Sequence, residues 1–555
     1  MRNLFTTIVI IIFIVTLFVM IFLPSVYLIS LVFLRWNRIY YEIFANPYLG
    51  STYLWNILQN LSLSFRLAIV TVMIDTILGL PLAYIFARKS FRGKCILEDI
   101  TMLPLVIPTS GFGFATLITW TSSTGISHLL GIPINTQTIV PLINIPLLVL
   151  IVHISLTFPY IVKTVSAALQ EINPSYEIVS QTLGASPFTS FRKVTLPLIT
   201  PSLLSGGVLA FARSLGETGA TLIVAGVSVT APIAIVKWEL ENKLAPAAFL
   251  GSILIALSFL LIIPIEHYAS QKRRITFRLI PLTKEKEIVK LERKVSRKLW
   301  WMREVASGML IFFMVILPIL TLLYTTCIYW SKEPYTGRFE KSILYELFGP
   351  SKMVNLVSRA TLTSIIVASI ATLISAYISI PTVLFIVKTR YGRIIRALLK
   401  VPLVVPTSAL GLSMILLWGN KGLNIIHPSV WLTILTHIVF SVPVIVEAGV
   451  SAYYQLNVEL YEGTARTLGA TFYDMIETIS LPMIKRSFIA GSILAFTHSL
   501  GETGATFLVM GNDITISTLV VNLVESQAIG TALFSSSLLI LIALLLLGII
   551  RKITR

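Results

Sequence analysis

The sequence predicts an all-α polytopic membrane protein of about twelve transmembrane helices, arranged as two parallel six-helix repeats. Three observations predict it. The 555 residues are 55% hydrophobic and only 12% charged, with a mean hydropathy of +0.87, whereas a soluble chain carries about 25% charged residues. Apolar runs longer than the roughly 18 residues needed to cross a bilayer recur along the whole chain. A long segment of the first half returns in the second. A β-barrel is excluded, because its strands would alternate in polarity over about ten residues.

The apolar spans fall at about 7–34, 60–87, 101–120, 137–162, 199–226 and 246–268, then at about 305–330, 358–388, 401–419, 429–453, 485–511 and 533–550. The first follows Met1-Arg2-Asn3 but is too long for a signal peptide and has no small-residue cleavage site, so it reads as a retained helix. The domain division is a first six-span unit at 1–268, a basic linker at 269–304 and a second six-span unit at 305–555.

Orientation follows from Lys and Arg. Loop 88–99 holds Arg88, Lys89, Arg92 and Lys94; loop 163–197 holds Lys163, Arg192 and Lys193; loop 388–400 holds Lys388, Arg390, Arg393, Arg396 and Lys400. With every span crossing, all fall on one side, which is then cytoplasmic, with both termini and the linker. The opposite loops, such as 121–136 and 512–532, are nearly free of Lys and Arg. This distribution explains the net charge of +18 without a nucleic-acid partner. Cys95 and Cys327 lie far apart and suggest neither a disulfide framework nor a metal site.

The linker includes Lys272, Arg273, Arg274, Lys294, Arg297 and Lys298. Ile288, Leu291, Val295 and Leu299 recur in it at helical spacing, and Trp300-Trp301 follow. This fits an amphipathic helix on the inner membrane face; a solvated tether fits equally.

The repeat aligns Tyr176–Thr221 with Tyr461–Thr506 without a gap. Both copies contain Thr-Leu-Gly-Ala (182–185 and 467–470), Leu-Pro (196–197 and 481–482) and Ser-Leu-Gly-Glu-Thr-Gly-Ala-Thr (214–221 and 499–506). Pro-Leu-Val-Ile-Pro-Thr-Ser at 104–110 matches Pro-Leu-Val-Val-Pro-Thr-Ser at 402–408. Six spans per half make the repeats parallel, related by an axis along the membrane normal. Between spans four and five each half has a polar, helix-compatible loop ending in Gly184-Ala185 or Gly469-Ala470. There Gly permits a tight turn, and Leu196-Pro197 or Leu481-Pro482 suits a first helical turn. A loop kept twice at one spacing is expected to dock a two-fold symmetric partner.

That Gly-to-Leu-Pro spacing resembles the "EAA" loop of binding-protein-dependent ABC importer permeases. The resemblance implies the type I (MetI-like) fold, one permease per half. The loop is then the coupling element for a cytoplasmic ABC ATPase, expected in two copies, and an extracytoplasmic solute-binding protein delivers the substrate. ATP and Mg would be bound by the ATPase; this chain carries no phosphate-binding Gly-x-x-x-x-Gly-Lys-Ser/Thr loop and no enzyme motif, so no cofactor, catalytic residue or metal ligand is assigned to it. The family's Glu position falls on Ile178 and Gly463, with Glu177 and Glu462 one residue earlier, so a partner-contact role for these two glutamates is open while the loop's role stands.

Within the membrane, Arg213 with Glu217 and His498 with Glu502 are spaced i, i+4, which places each pair on one helical face. Arg213 lies roughly 21 Å into its span at 1.5 Å per residue. Ionisable groups at that depth are expected to pair or to line a wet path; both readings stay open. Thr218 and Thr503, next to these glutamates, belong to the same candidate pathway. Gly216, Gly219, Gly501 and Gly504 allow close backbone approach. His153 and His437 occupy matching positions and read as packed, hydrogen-bonded histidines. Thr109, Ser110, Thr407 and Ser408 follow prolines; they open either a kinked helix lining the pathway, with hydroxyls satisfying a freed carbonyl, or a plain helix start near the inner interface.

The phrase Phe-Ala-Arg-Ser-Leu-Gly-Glu-Thr-Gly-Ala-Thr at 211–221 resembles the fifth span of molybdate, tungstate and sulfate permeases, which implies a tetrahedral oxyanion. The fused layout is similar to ferric-iron and thiamine permeases, and phosphate permeases share a related Gly-Glu-Thr phrase. An ion-coupled secondary transporter and a membrane enzyme are the competing classes.

Overall fold

Long apolar helices, several of them bent or broken at proline and glycine, dominate the computed structural model, which describes residues 18–122, 125–129, 131, 134–270, 282–298, 301–334 and 337–554. In the first half these are α1 (Leu23–Leu34), α2 (Gly50–Arg88), the bent pair α3 (Lys94–Val106) and α4 (Thr109–Thr121), α5 (Leu147–Glu171), α6 (Ser175–Thr182), α7 (Pro187–Gly216), α8 (Gly219–Val224), α9 (Ala231–Leu240) and α10 (Leu244–Ser270). The linker helix is α11 (Leu282–Lys298). The second half repeats the order: α12 (Met302–Ile328), α13 (Met353–Lys388), α14 (Gly392–Val404), α15 (Thr407–Leu417), α16 (Val430–Gln455), α17 (Val458–Thr467), α18 (Phe472–Gly501), α19 (Gly504–Val509), α20 (Ile516–Glu525) and α21 (Ile529–Thr554). Among the described residues nine helices are long and apolar enough to cross a membrane, or eleven if each bent pair is one span. Helix α1 is the described part of the remaining span, whose residues 7–17 lie outside the described residues.

The proline positions explain the bends. Pro108 and Pro406 force the preceding Ile107 and Val405 into extended conformation (ψ 135° and 129°), as a following pyrrolidine ring requires. The helices turn there by 106° and 101°. Each proline is at once the break of one helix and the N-cap of the next. Leu-Pro at 196–197, 317–318 and 481–482 each follows a π-helical turn, at Phe191–Thr195, Phe312–Ile316 and Ile476–Ser480. The wider turn absorbs the missing proline N–H within a continuous helix. Pro197 and Pro482 thus sit inside α7 and α18 rather than at their starts.

The two halves exchange their first spans. Helix α1 packs on α15 of the second half, and α12 packs on α4 of the first. Two apolar cores result. One joins α1, α9 and α10 to α13–α16; the other joins α2–α5 to α12, α20 and α21. Ion pairs that span the halves close both ends: Lys89–Glu304 at 2.6 Å, Asp99–Arg551 at 3.1 Å and Glu239–Lys421 at 2.5 Å. The segment 512–532, expected as a loop, contains α20, whose Ile516, Leu519, Val520 and Val521 are buried. It is too short to register as a span, and so is its counterpart α9.

Candidate functional site

Each loop between spans four and five is a helix, a glycine turn and a helix restart. Gly184 and Gly469 have φ of 91° and 90°, a left-handed conformation that side chains with a Cβ resist. The turns close α6 and α17 with paired backbone bonds: Ala185 N–H to Ser180 O and Gly184 N–H to Gln181 O, at 3.1 and 3.0 Å, and Ala470 N–H to Ala465 O and Gly469 N–H to Arg466 O, both 3.0 Å. This is the Schellman arrangement. Ser186 and Thr471 then cap the following helices, accepting from Thr189 N and Asp474 N at 3.2 and 3.3 Å.

Glu177 and Glu462 face inward. Glu177 accepts hydrogen bonds from Tyr84 Oη (2.8 Å), Arg88 Nη2 (3.0 Å) and Thr195 Oγ1 (3.1 Å). Glu462 is held by Lys388 Nζ, Tyr453 Oη (2.8 Å) and Ser480 Oγ (2.6 Å). Burial alone would raise the Glu462 pKa, but the hydrogen bonds from Lys388, Ser480 and Tyr453 outweigh it and hold the carboxyl below its ordinary range. Both glutamates therefore anchor the loop to the end of span two and the base of span five. The outward surface is apolar instead: Leu183 and Leu468 are 84% and 83% exposed, with Tyr176, Val179 and Phe188, or Tyr461, Phe472 and Tyr473, beside them.

Deep in the membrane the motif Ser-Leu-Gly-Glu-Thr-Gly-Ala-Thr is a helix break in which nearly every residue has a structural task. Helix α7 ends at Gly216, and Glu217 is extended (φ −67°, ψ 127°); Glu502 matches it (φ −70°, ψ 126°). The i, i+4 helical-face reading of Arg213 with Glu217 and His498 with Glu502 is thereby corrected, because the carboxylates lie past the helix ends. Each carboxylate turns to cap the next helix, accepting from Ala220 N at 3.0 Å or Ala505 N at 3.2 Å. Thr218 and Thr503 donate to Gly216 O and Gly501 O. Ser214 and Thr221 hold His153 (2.8 and 3.0 Å), and Ser499 and Thr506 hold His437 (2.6 and 3.1 Å). Irregular backbone at this depth survives only because its polar groups are satisfied by protein.

The glycines join the halves. A Cβ on Gly216 would meet Pro406 Cα at 3.0 Å, and one on Gly501 would meet Pro108 Cα at 2.6 Å. A Cβ on Gly219 would meet both Thr109 and Thr503 Oγ1 at 2.7 Å; one on Gly504 would meet Thr218 and Thr407 Oγ1 at 2.8 Å. The four threonines singled out in the sequence thus converge at the pseudo-two-fold axis. Ser110 and Ser408 do not satisfy a freed carbonyl, since their buried hydroxyls have no hydrogen-bond partner.

Within the helix break the pseudo-symmetry fails at Arg213, which faces His498 in register. Arg213 Nη2 pairs with Glu217 Oε2 at 2.7 Å. His498, its counterpart, has no bond to Glu502; its Nδ1 is buried without a partner and its ring meets the Phe440 ring edge-on at 4.9 Å. Arg213, Tyr160, Thr109, Thr497, His498 and Glu502 line a cavity of about 30 Å³ bounded by Pro104–Pro108. At about 10–15 Å³ per water this has room for about two or three waters.

The sequence reading missed one contact. Helix α11, expected on the membrane face or free in solvent, instead packs on the loop between spans four and five of the first half, with Glu292 buried against Thr189 and Arg192. The signal was present as Glu285 and Glu292, seven residues apart on one helical face opposite a basic loop.

The protein-family model for the "binding-protein-dependent transport system inner membrane component" matches residues 79–275. The chain is 31% identical to the sulfate transport system permease protein CysT of Salmonella typhimurium over 237 residues, covering 42% of this chain and 80% of that protein. It is 33% identical to a probable sulfate transport system permease protein of Marchantia polymorpha, over 38% of this chain and 74% of that one. The molybdenum transport system permease protein ModB of Mycobacterium bovis is 38% identical over 30% of this chain and 61% of its own length. With its multi-span helices, doubled glycine-turn loops and paired helix breaks, the chain belongs to the binding-protein-dependent transport system inner membrane components, the non-enzymatic permeases of ABC importers.

Proposed function

We propose that this chain moves a tetrahedral oxyanion of the sulfate or molybdate class from an extracytoplasmic binding protein to the cytoplasm by alternating access. One ABC ATPase docks on each coupling loop, two copies in all, and both termini lie in the cytoplasm. The permease units are 1–268 and 305–555, joined by the linker 269–304. The observation that carries the docking is the pair of left-handed glycine turns presenting exposed Leu183 and Leu468 beside further exposed apolar side chains of each loop. Exposed apolar residues clustered on a loop mark a protein contact.

Two observations support an anion. The relatives named above are sulfate and molybdenum permeases, and Arg213 lines the central cavity. There it meets Glu217 rather than a substrate. An anion entering an opened cavity would compete with that carboxylate for the guanidinium, whose planar fork suits oxyanions. Thr109, Thr218, Thr407 and Thr503 would offer hydroxyls along the same path. The fused layout favours a second reading, a ferric-iron or thiamine permease. Calorimetry on the cognate solute-binding protein separates them. Binding of tungstate, molybdate or sulfate supports the oxyanion; binding of ferric iron, thiamine or phosphate with none of these three replaces it.

A further inference from the structure

The two coupling loops are inequivalent, and the linker makes them so. Helix α11 lies on the first loop through four contacts. Thr189 Oγ1 donates to Glu292 Oε2 at 2.7 Å, Arg192 pairs with the same carboxylate, Lys193 Nζ meets Glu285 Oε1 at 2.6 Å, and Arg293 Nη2 donates to Gly184 O at 3.0 Å. Glu292 is only 4% exposed. The second loop lacks a matching surface. In register, Thr189, Arg192 and Lys193 become Asp474, Glu477 and Thr478, all exposed. Two acidic residues there would repel Glu285 and Glu292, since like charges placed together are destabilising. Charge therefore directs the linker to the first loop and away from the second.

The Arg293 contact reaches the carbonyl of the glycine turn itself, one residue from Leu183, the most exposed apolar side chain of that loop. The linker's free face, with Glu287, Lys290, Leu291 and Lys294 exposed, continues the surface that Leu183 begins. We infer that α11 is part of the docking platform for the ATPase copy on the first loop, so that the two ATPase copies rest on different surfaces. The inference rests on the docking of ATPases at the coupling loops. Its occupant follows from continuity: a globular partner seated on Leu183 and Val179 meets α11 beside them. Leu291, 63% exposed on a strongly charged helix, is then an apolar contact covered by that partner.

The test uses the chain co-expressed with its ATPase, in a background carrying Cys95→Ser and Cys327→Ser. Cysteines are placed singly at Leu291 and Leu468, a maleimide–diazirine reagent is attached to each thiol, and photolysis inserts the resulting carbene, with loss of dinitrogen, into a C–H or N–H bond of the ATPase within reach. Cross-linking at both positions is expected. Glu292→Lys should abolish the Leu291→Cys cross-link, and adding Arg192→Glu should restore it, while the Leu468→Cys cross-link stays unchanged throughout. A cross-link at Leu468→Cys with none at Leu291→Cys overturns the linker platform and leaves loop docking intact. Absence of both overturns docking itself, and the platform with it.

Discussion

Gly501 of the second half lies against Pro108 of the first so closely that a Cβ on the glycine would come within 2.6 Å of the proline Cα; the mirror pair, Gly216 and Pro406, leaves 3.0 Å. Each glycine ends a broken span, and each proline is the elbow of a bent helix in the other half. The breaks and bends of the two halves are therefore interlocked across the pseudo-symmetry axis. Backbone, not a flexible side chain, opposes any added methyl group. Overpacking of this kind costs about 1–3 kcal/mol. Gly501→Ala is expected to lower the melting temperature of the purified chain more than Gly216→Ala. Equal melting temperatures for both variants and the parent would contradict the close approach.

The coupling turns make a different prediction. Nothing lies within 4 Å of a Cβ built on Gly184 or Gly469, so substitution there meets no steric obstacle, only the left-handed backbone. The cost of that conformation is about 1–2 kcal/mol per residue. Gly184→Val or Gly469→Val should leave the membrane core folded and uncouple ATP hydrolysis from uptake. Stimulated ATPase activity and uptake are measured in the same proteoliposomes; unchanged uptake in both variants would remove the coupling role.

Glu217 and Glu502 cap equivalent helices, but only Glu217 also neutralises an arginine. Losing a cap costs about 0.5–2 kcal/mol, whereas removing one partner of a buried ion pair costs about 3–5 kcal/mol. Glu217→Ala is therefore expected to destabilise more than Glu502→Ala, and Arg213→Ala combined with Glu217→Ala should recover part of the loss. Thermal unfolding of the three variants checks the order.

Acid should release the linker. Burial acts to raise the Glu292 pKa, but hydrogen bonds from Arg192 and Thr189 outweigh it and hold the carboxyl below its ordinary 4.5. A carboxyl whose pKa falls on docking stabilises the docked form fully above that ordinary value. The contribution disappears as pH drops through the lower value of the docked state. Proteolysis of the linker is expected to be independent of pH from neutrality to about 5 and to rise below about 4.5, with Glu292→Gln susceptible at every pH.

Much of this arrangement was legible in the sequence because it is written in residues with few structural alternatives. Gly184 and Gly469 announced left-handed turns, and the repeated motifs announced two like halves. His153 and His437 were readable as packed, bonded histidines because they occupy matching positions in the two halves. The break after Gly216 was hidden, since Arg213 and Glu217 at i, i+4 satisfy a helix as well as a break. Helices α9 and α20 were hidden by their shortness. The exchange of α1 and α12 between halves is a tertiary property with no local signature. In α11 the recurrence of Ile288, Leu291 and Val295 suggested a lipid-facing stripe, yet the docked face is set by Glu285 and Glu292, which find their partners a hundred residues away.

The central claim is that two fused permease halves are driven by ATP through their coupling loops. It is tested most directly by reconstituting the chain with its ATPase and binding protein in proteoliposomes and measuring uptake of radiolabelled sulfate or molybdate. Uptake that requires ATP inside the coupling compartment, stops when the ATPase is omitted and is lost in the Gly184→Val, Gly469→Val double variant is the expected result. Uptake driven by a proton or sodium gradient without ATP would contradict it.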